Sequence, residues 1–316
     1  MSRKQPELSV GFERFTLKNI TIIGLIALTY LGWIYSMVGL RGDHVYLVVA
    51  CVVAYYATND SRKALYGFAF ILLYWWVYDS LRVYPNYLVN TVHIEDLYDW
   101  EKSWFGIQTA SGVITPNEYF LANNNSFLDV VSGLFYLSWI PVPVVFGLYL
   151  FMTNRGMMVQ FMFTFFLANV IAIFIYYAYP AAPPWYVQKY GFIENFDMMG
   201  NAAGLLKFDE FFNINVFKGM YDKNGNVFAA MPSMHSAFPV LLFYFGVKSK
   251  IKWWWSAFFL STVIGIWFAA VYTSHHYIID VICGALCAIV TIIIIEYLLS
   301  LPLIKRWYHL YKGLMN

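Results

Sequence analysis

Residues 253–300 read WWWSAFFLSTVIGIWFAAVYTSHHYIIDVICGALCAIVTIIIIEYLLS. Two apolar stretches, 253–273 and 276–300, are each long enough to cross about 30 Å of hydrocarbon, with a few polar residues between them. Asp280 and Glu296 are the charged residues of the whole run. The same window moved along the chain finds further spans near 17–38, 43–58, 64–81, 127–152, 158–179 and 231–247. Of these, 43–58 and 231–247 are short or polar at one end. The expected fold is all-α: a polytopic transmembrane helix bundle of about eight spans, one membrane domain over 1–316.

Composition agrees. Of 316 residues, 60% are hydrophobic, 21% aromatic and 12% charged, where a soluble domain carries about 25% charged residues. A disordered chain is excluded by the apolar content, and a water-facing fold could not hide 12 Trp, 26 Tyr and 28 Phe. A net charge of +2 without a basic stripe argues against a nucleic-acid partner. Cys51, Cys283 and Cys287 lie in apolar runs and read as small hydrophobes, neither disulfides nor thiolate ligands. The run 17–38 is too long for the apolar region of a cleavable signal peptide.

The basic residues set the orientation. With the N-terminus inside, one face receives Arg3, Lys4, Arg14, Lys18, Arg62, Lys63, Arg155, Lys248, Lys250, Lys252, Lys305, Arg306 and Lys312. The opposite face receives fewer basic residues on longer loops, beside most of the acidic ones. That is a positive-inside pattern with both termini cytoplasmic. Two long connections then face outward, 82–126 and 180–230. Within them, Glu95–Trp104 and Phe208–Phe217 have the mixed character of short interfacial helices. The connections are either simple caps on the bundle or a lid over a site.

Polar residues gather at that outer face. MPSMHSAFP (231–239) opens the sixth span. Pro232 suits a helix start, Ser233 can cap the first turn, and the free N–H groups of that turn form an anion site beside His235. YTSHHYIID (272–280) opens the eighth span. His276 and Asp280 stand four residues apart on one helical face. A carboxylate at that depth needs a partner, and an imidazole to be oriented is one. The short basic turn Lys248–Lys252 brings His235 back to the face of His276. One histidine set by a carboxylate, with a second facing it, fits phosphoryl transfer through a phosphohistidine. His44, His93 and His309 read as interfacial. A zinc hydrolase using His235, His275 or His276 and Asp280 would lack a third firmly placed ligand and a base, so neither metal nor cofactor is expected.

Two further stretches point to the same face. Tyr78–Asp79–Ser80–Leu81–Arg82 closes the third span. Arg82 is either a phosphate clamp or a snorkelling interfacial arginine, and Asp79 pairs either with Arg82 or with a sugar-like headgroup. YYAYPAAPPWY (176–186) ends the fifth span, its prolines stopping the helix. Tyr179, Trp185 and Tyr186 either line a headgroup pocket or form a rigid aromatic anchor.

Pro232–Ser233–Met234–His235 resembles the Pro–Ser–Gly–His motif of the type 2 phosphatidic acid phosphatase (PAP2) superfamily, and His276–x–x–x–Asp280 resembles the end of its last motif. Residues 181–186, AAPPWY, together with Tyr272, His275, His276, Tyr277 and Asp280, resemble the inositol phosphorylceramide synthase (aureobasidin-resistance) family. The likeness covers about 170–290 and extends more weakly to Tyr78–Arg82. The phosphatases' first-motif lysine and Arg–Pro pair align with Ala172 and Tyr179–Pro180, and their Ser–Arg pair with Ala269–Ala270. Their motif glycine is Met234 here. A cationic cradle so depleted suits a singly charged phosphodiester donor better than a dianionic phosphomonoester.

The resemblance implies a six-helix PAP2-like core, with the phosphotransfer motifs inside 158–300, and a double displacement. His276, oriented by Asp280, attacks the phosphorus of a phospholipid such as phosphatidylinositol. His235 protonates the departing diacylglycerol oxygen, then acts as base on the primary hydroxyl of ceramide or dihydroceramide. Asp79, Arg82, Tyr179, Trp185, Tyr186, Ser233 and His275 are the expected substrate-binding residues. The expected partners are a phospholipid donor and a ceramide acceptor, with no nucleic acid and no obligate protein partner. Water as acceptor would instead give a lipid phosphatase, another headgroup a related transferase, and a relic motif a transporter or scaffold. The short terminal tails favour a bacterial inner membrane over a Golgi membrane.

Overall fold

The computed structural model describes residues 15–223 and 225–315. Arg3, Lys4 and Arg14, counted above with the inner charges, lie outside the described residues. The chain opens with α1 (Leu17–Trp33), which continues as a π turn over Ile34–Val38. Then come α2 (Gly42–Ala57) and α3 (Asn59–Ser80). Thr58 separates the pair and caps α3, its hydroxyl accepting the N–H of Ser61 at 2.9 Å.

The first long connection, expected to face outward, contains α4 (Glu95–Phe105), a hairpin of β1 (Ile107–Thr109) and β2 (Gly112–Ile114), and α5 (Pro116–Ala122). The small antiparallel hairpin departs from the all-α expectation. The span expected at 127–152 is two helices, α6 (Ser126–Leu137) and α7 (Pro141–Thr153). Pro141 has no N–H to extend the ladder of α6, so the helix stops and restarts. Next is α8 (Arg155–Ala178), and the second outer connection holds α9 (Pro184–Tyr190), α10 (Leu206–Phe212) and α11 (Val216–Tyr221). The bundle closes with α12 (Met234–Lys248), α13 (Trp253–Tyr272) and α14 (Ile278–Ser300), followed by α15 (Pro302–Gly313).

Among the described residues six helical segments are long and apolar enough to cross a membrane: 17–38, 59–83, 126–153, 155–178, 253–272 and 278–300. The stretches expected at 43–58 and 231–247 are the shorter α2 and α12. The 15 residues of α12 span about 23 Å, less than the hydrocarbon core. That shortfall is tolerable because α12 meets protein. Ala237, Phe238, Leu241, Leu242 and Phe245 bury in the main core with Phe146, Phe161, Phe165 and Phe259, and Phe165 stacks on Phe238 at 4.1 Å. A helix enclosed by neighbours does not itself have to match the bilayer. The protein is thus a multi-pass helical membrane bundle, held by close packing rather than by release of water.

At one end of the bundle, Arg155 lies 3.7 Å from Asp60 and also reaches the carbonyl of Met315. Lys248 pairs with Glu296 and donates to Gln160 at 3.0 Å. The C-terminal helix α15 folds back on this end, with the Tyr311 hydroxyl on the carbonyl of Tyr66 at 2.6 Å. At the opposite end the two long connections pair with one another. Ala181 sits between His93 and Ala229 in two parallel bridges. Glu95–Trp104 and Phe208–Phe217, expected as interfacial helices, are helical in α4, α10 and α11 but dock on the protein. Leu97 and Glu101 of α4 are fully buried while Trp100 and Trp104 stay exposed, and Phe208 and Phe217 are buried.

Candidate active site

The site forms where α12 starts beside the first turn of α14. Ser233 caps α12 by accepting the N–H of Ser236, and its own N–H donates to the carbonyl of Asp280 at 3.0 Å. Ser236 donates its hydroxyl to the carbonyl of Val281 at 2.9 Å. Only a glycine permits this approach on the α14 side. A Cβ at Gly284 would lie 2.0 Å from the Ser233 carbonyl oxygen and 2.1 Å from Ser236 Oγ. His235, between these two serines, is thereby set against α14.

The loop between α13 and α14 carries the other histidines. Ser274 takes φ +59°, a left-handed conformation uncommon for a residue with a side chain, so surrounding contacts must hold it. Those contacts come from both outer connections. From the first, Asn117 donates to the carbonyls of Val271 (2.8 Å) and His276 (3.0 Å). Glu101 accepts the N–H groups of Ile278 (3.0 Å) and Ile279 (3.2 Å), two free donors at the start of α14. Burial pushes the Glu101 carboxyl up to about 7, against the lowering effect of those two N–H groups. From the second, the N–H of Trp185 donates to the Ser274 carbonyl (3.0 Å), Gln188 to the Ser274 hydroxyl (3.0 Å), and the N–H of Gly204 to the Thr273 carbonyl (3.0 Å).

The result is a facing pair of imidazoles. His235 Nδ1 and His276 Nε2 are 3.3 Å apart. Behind His276, Asp280 Oδ2 accepts the N–H of Tyr277 at 2.9 Å and stands 3.6 Å from His276 Nδ1. That spacing is longer than a good hydrogen bond. His276 Nδ1 and Asp280 Oδ1 are both buried without a partner, and a small rotation closing the gap would relieve part of that penalty. Such bonds are often long until substrate is bound. Tyr136 of α6 places its hydroxyl 3.0 Å from His235 Nδ1, and Trp139, in the break before Pro141, meets the same ring edge-on with centroids 4.8 Å apart. His275 is buried beside Tyr136 and Tyr221. Desolvation, with the neighbouring His276, holds its pKa down to about 3, so the ring is neutral.

Other expected site residues lie elsewhere. Asp79 is buried and accepts from Arg82 (2.7 Å), Arg41 (3.0 Å) and His44 (2.6 Å). Arg82 also donates to the carbonyl of Lys223 at 3.0 Å. The pairing of Asp79 with Arg82 is thus present, while neither touches the histidine pair. His44, read as interfacial, is instead 1% exposed and locked between Asp79 and the backbone N–H of Arg41. Tyr179 stacks on His93 with centroids 3.6 Å apart and donates to Asp96. Tyr186 donates to the carbonyl of Ile193 and accepts the N–H of Asn195, which makes it an anchor of the second outer connection. Trp185 borders an open cavity of about 350 Å³ with Gln188, Lys189, Asn201, Lys207 and Ser274. Glu101, Asn117, Tyr136 and Tyr221 were not foreseen. No group of three or more His, Cys, Asp or Glu among the described residues could hold a metal ion.

A multi-pass bundle that aims two histidines and an aspartate at one another on adjoining helix starts has the make-up of a membrane phosphotransfer protein. Residues 95–294 match the family model described as the PAP2 superfamily, and the chain belongs to that superfamily. It is 38% identical over 281 residues to a phosphoinositol dihydroceramide synthase of Bacteroides thetaiotaomicron, covering 89% of this chain and 92% of that protein. It is 29% identical over 194 residues to the catalytic subunit of the inositol phosphorylceramide synthase of Saccharomyces cerevisiae, covering 58% of this chain and 47% of that protein. The corresponding Schizosaccharomyces pombe subunit is 23% identical over 276 residues, covering 82% of this chain and 61% of that one. No solved structure matches.

Proposed function

We propose that the chain moves phosphoinositol from phosphatidylinositol to the primary hydroxyl of ceramide or dihydroceramide and releases diacylglycerol. The carrying observation is the pair His235 and His276 at 3.3 Å with Asp280 behind His276. Neutral His276, its Nδ1–H turned to Asp280, attacks phosphorus with Nε2. The bond from phosphorus to the diacylglycerol oxygen breaks, and His235 gives that oxygen a proton. The oxygen of the lipid hydroxyl then attacks the phosphohistidine at phosphorus, the bond from phosphorus to His276 Nε2 breaks, and His235 takes the hydroxyl proton. Names of similar proteins support the substrate class: a phosphoinositol dihydroceramide synthase and an inositol phosphorylceramide synthase catalytic subunit.

The surroundings favour a phosphodiester donor. Among the described residues no lysine or arginine bonds to His235, His275 or His276. Ala172, Ala269 and Ala270, which stand where the phosphatases carry basic or polar residues, are fully buried. Ser233 and His275 border the reacting atoms, Trp185 lines the approach, and Tyr179 and Tyr186 brace the cover over it. Asp79 steadies Arg82, whose buried Nε has no partner and remains for a headgroup oxygen. The site opens on the outer face, both termini are cytoplasmic, and the membrane is a bacterial inner membrane.

Purified protein in lipid nanodiscs containing phosphatidylinositol and ceramide tests this. The expected products are diacylglycerol and phosphoinositol ceramide, with His276→Ala losing at least about 10³-fold in turnover. Wild-type turnover by His276→Ala, or release of inositol phosphate without any acceptor lipid, would overturn the reading.

A further inference from the structure

The mechanism above orients His276 through Asp280 and leaves open what orients His235. Among the described residues no carboxylate bonds to His235. Its Nδ1 meets the hydroxyl of Tyr136 at 3.0 Å, and that hydroxyl in turn accepts from the hydroxyl of Tyr221 at 3.2 Å. Tyr136 is fully buried, and its ring is fixed against Phe217 and His275. Among the described residues His235 Nε2 has no protein partner, and the residue is part-exposed where Tyr136 is not. A nitrogen that takes a proton from a lipid hydroxyl needs a lone pair, so the neutral ring acting as base holds its proton on Nδ1, where the Tyr136 oxygen accepts it, and keeps the lone pair on Nε2. A proton on Nδ1 also suits the 3.3 Å contact with His276, whose Nε2 holds a lone pair.

We infer that Tyr136, backed by Tyr221, is the positioning residue for His235, and that it presents Nε2 as the atom exchanging protons with substrate. A phenolic oxygen suits the task because it accepts the Nδ1–H in both states of the ring. The imidazolium gives its Nε2 proton to the departing oxygen, the neutral ring that remains takes a proton on Nε2 from the lipid hydroxyl, and no proton leaves either tyrosine. A carboxylate in the same place would favour the charged ring throughout the cycle. The tie also outlasts substrate entry. A phosphoryl group cannot fit inside the 3.3 Å between the rings, so the contact with His276 must open while Tyr136 keeps its hold.

This inference rests on His235 being the acid–base group, so its test includes a readout that needs no turnover. Nitrogen-15 spectra of histidine-labelled wild-type protein, with His235→Gln to assign the signal, should show neutral His235 as the Nδ1–H tautomer. Tyr136→Phe should mix the tautomers and lower kcat about 10–100-fold with KM for both lipids within about twofold. Tyr221→Phe should act in the same direction with a smaller loss, and decides the matter if Tyr136→Phe does not fold. Wild-type kcat in the tyrosine variants overturns the inference, and so does a loss of turnover with an unchanged tautomer. A wild-type protein that moves no phosphoinositol would refute the proposed function and leave the tautomer measurement standing.

Discussion

Gly284→Ala tests whether the crossing of α12 and α14 sets the spacing of the histidines. The added Cβ would lie 2.0 Å from the Ser233 carbonyl oxygen and 2.1 Å from Ser236 Oγ, both on α12 and flanking His235. Carbon–oxygen contacts do not close below 3.0 Å, so the start of α12 must retreat by about 1 Å. The displaced atoms include backbone that also bonds Asp280, through the Ser233 N–H at 3.0 Å. A shift of about 1 Å in reacting geometry costs about 100-fold in rate, whereas overpacking of this size costs about 1–3 kcal/mol of stability. The expected variant is therefore folded, with Tm lowered by a few degrees and kcat reduced about 100-fold. Gly32→Ala, which meets nothing within 4 Å, is the matched control and should leave both unchanged. Turnover and thermal melting in the same detergent read the two effects apart. Gly284→Ala with wild-type kcat would refute the argument.

Glu101→Ala strands two buried N–H donors at the start of α14 and should lower stability by about 2–4 kcal/mol, while Glu101→Gln keeps an acceptor and loses less; equal melting of the alanine variant and wild type would contradict this. The pH dependence of stability follows from two opposed groups. Glu101, raised from 4.5 to about 7, holds a proton that the unfolded chain has lost, so its contribution is full below 4.5 and is lost as pH rises through 7. His275, lowered from 6.5 to about 3, stays neutral while the unfolded chain gains a proton, so its contribution is full above 6.5 and is lost as pH falls toward 3. Removing the first by Glu101→Gln should leave melting temperature rising more steeply with pH between 4.5 and 6.5; a shallower rise than wild type would refute the assignment.

The legible parts of the molecule were those carried by short-range pattern. The apolar stretches announced the helices, though not the break at Pro141 that divides 127–152 into α6 and α7. His235 and His276 could be paired because each stands at a helix start next to a motif, and one short turn links their helices. Asp280 stood out as a carboxylate in an apolar run, one turn from His276. Tyr136 did not, because it is one of 26 tyrosines and its partner lies 99 positions away. Glu101 resembled any acidic residue of an outer loop, and only docking of α4 reveals that it is buried. His44 sits one residue inside the span expected at 43–58, where an interfacial reading is natural; that Asp79 folds over it is a tertiary fact. Spacing along the chain speaks for neighbours on one helix and says little about which loop closes over them.

The loop from Thr273 to Tyr277 has a bearing on how such a protein can be taken apart. Its clasps come from Glu101 and Asn117 on one side and from Trp185, Gln188 and Gly204 on the other. The stretch 158–300 contains His235, His276 and Asp280, yet it is not a transplantable module. A chimera carrying it into a foreign bundle would leave behind the two clasps that precede residue 158, and Ser274 would be free to abandon its left-handed turn. The boundary of the working unit falls at least as far back as α4, within the outer connection that precedes the helices bearing the histidines.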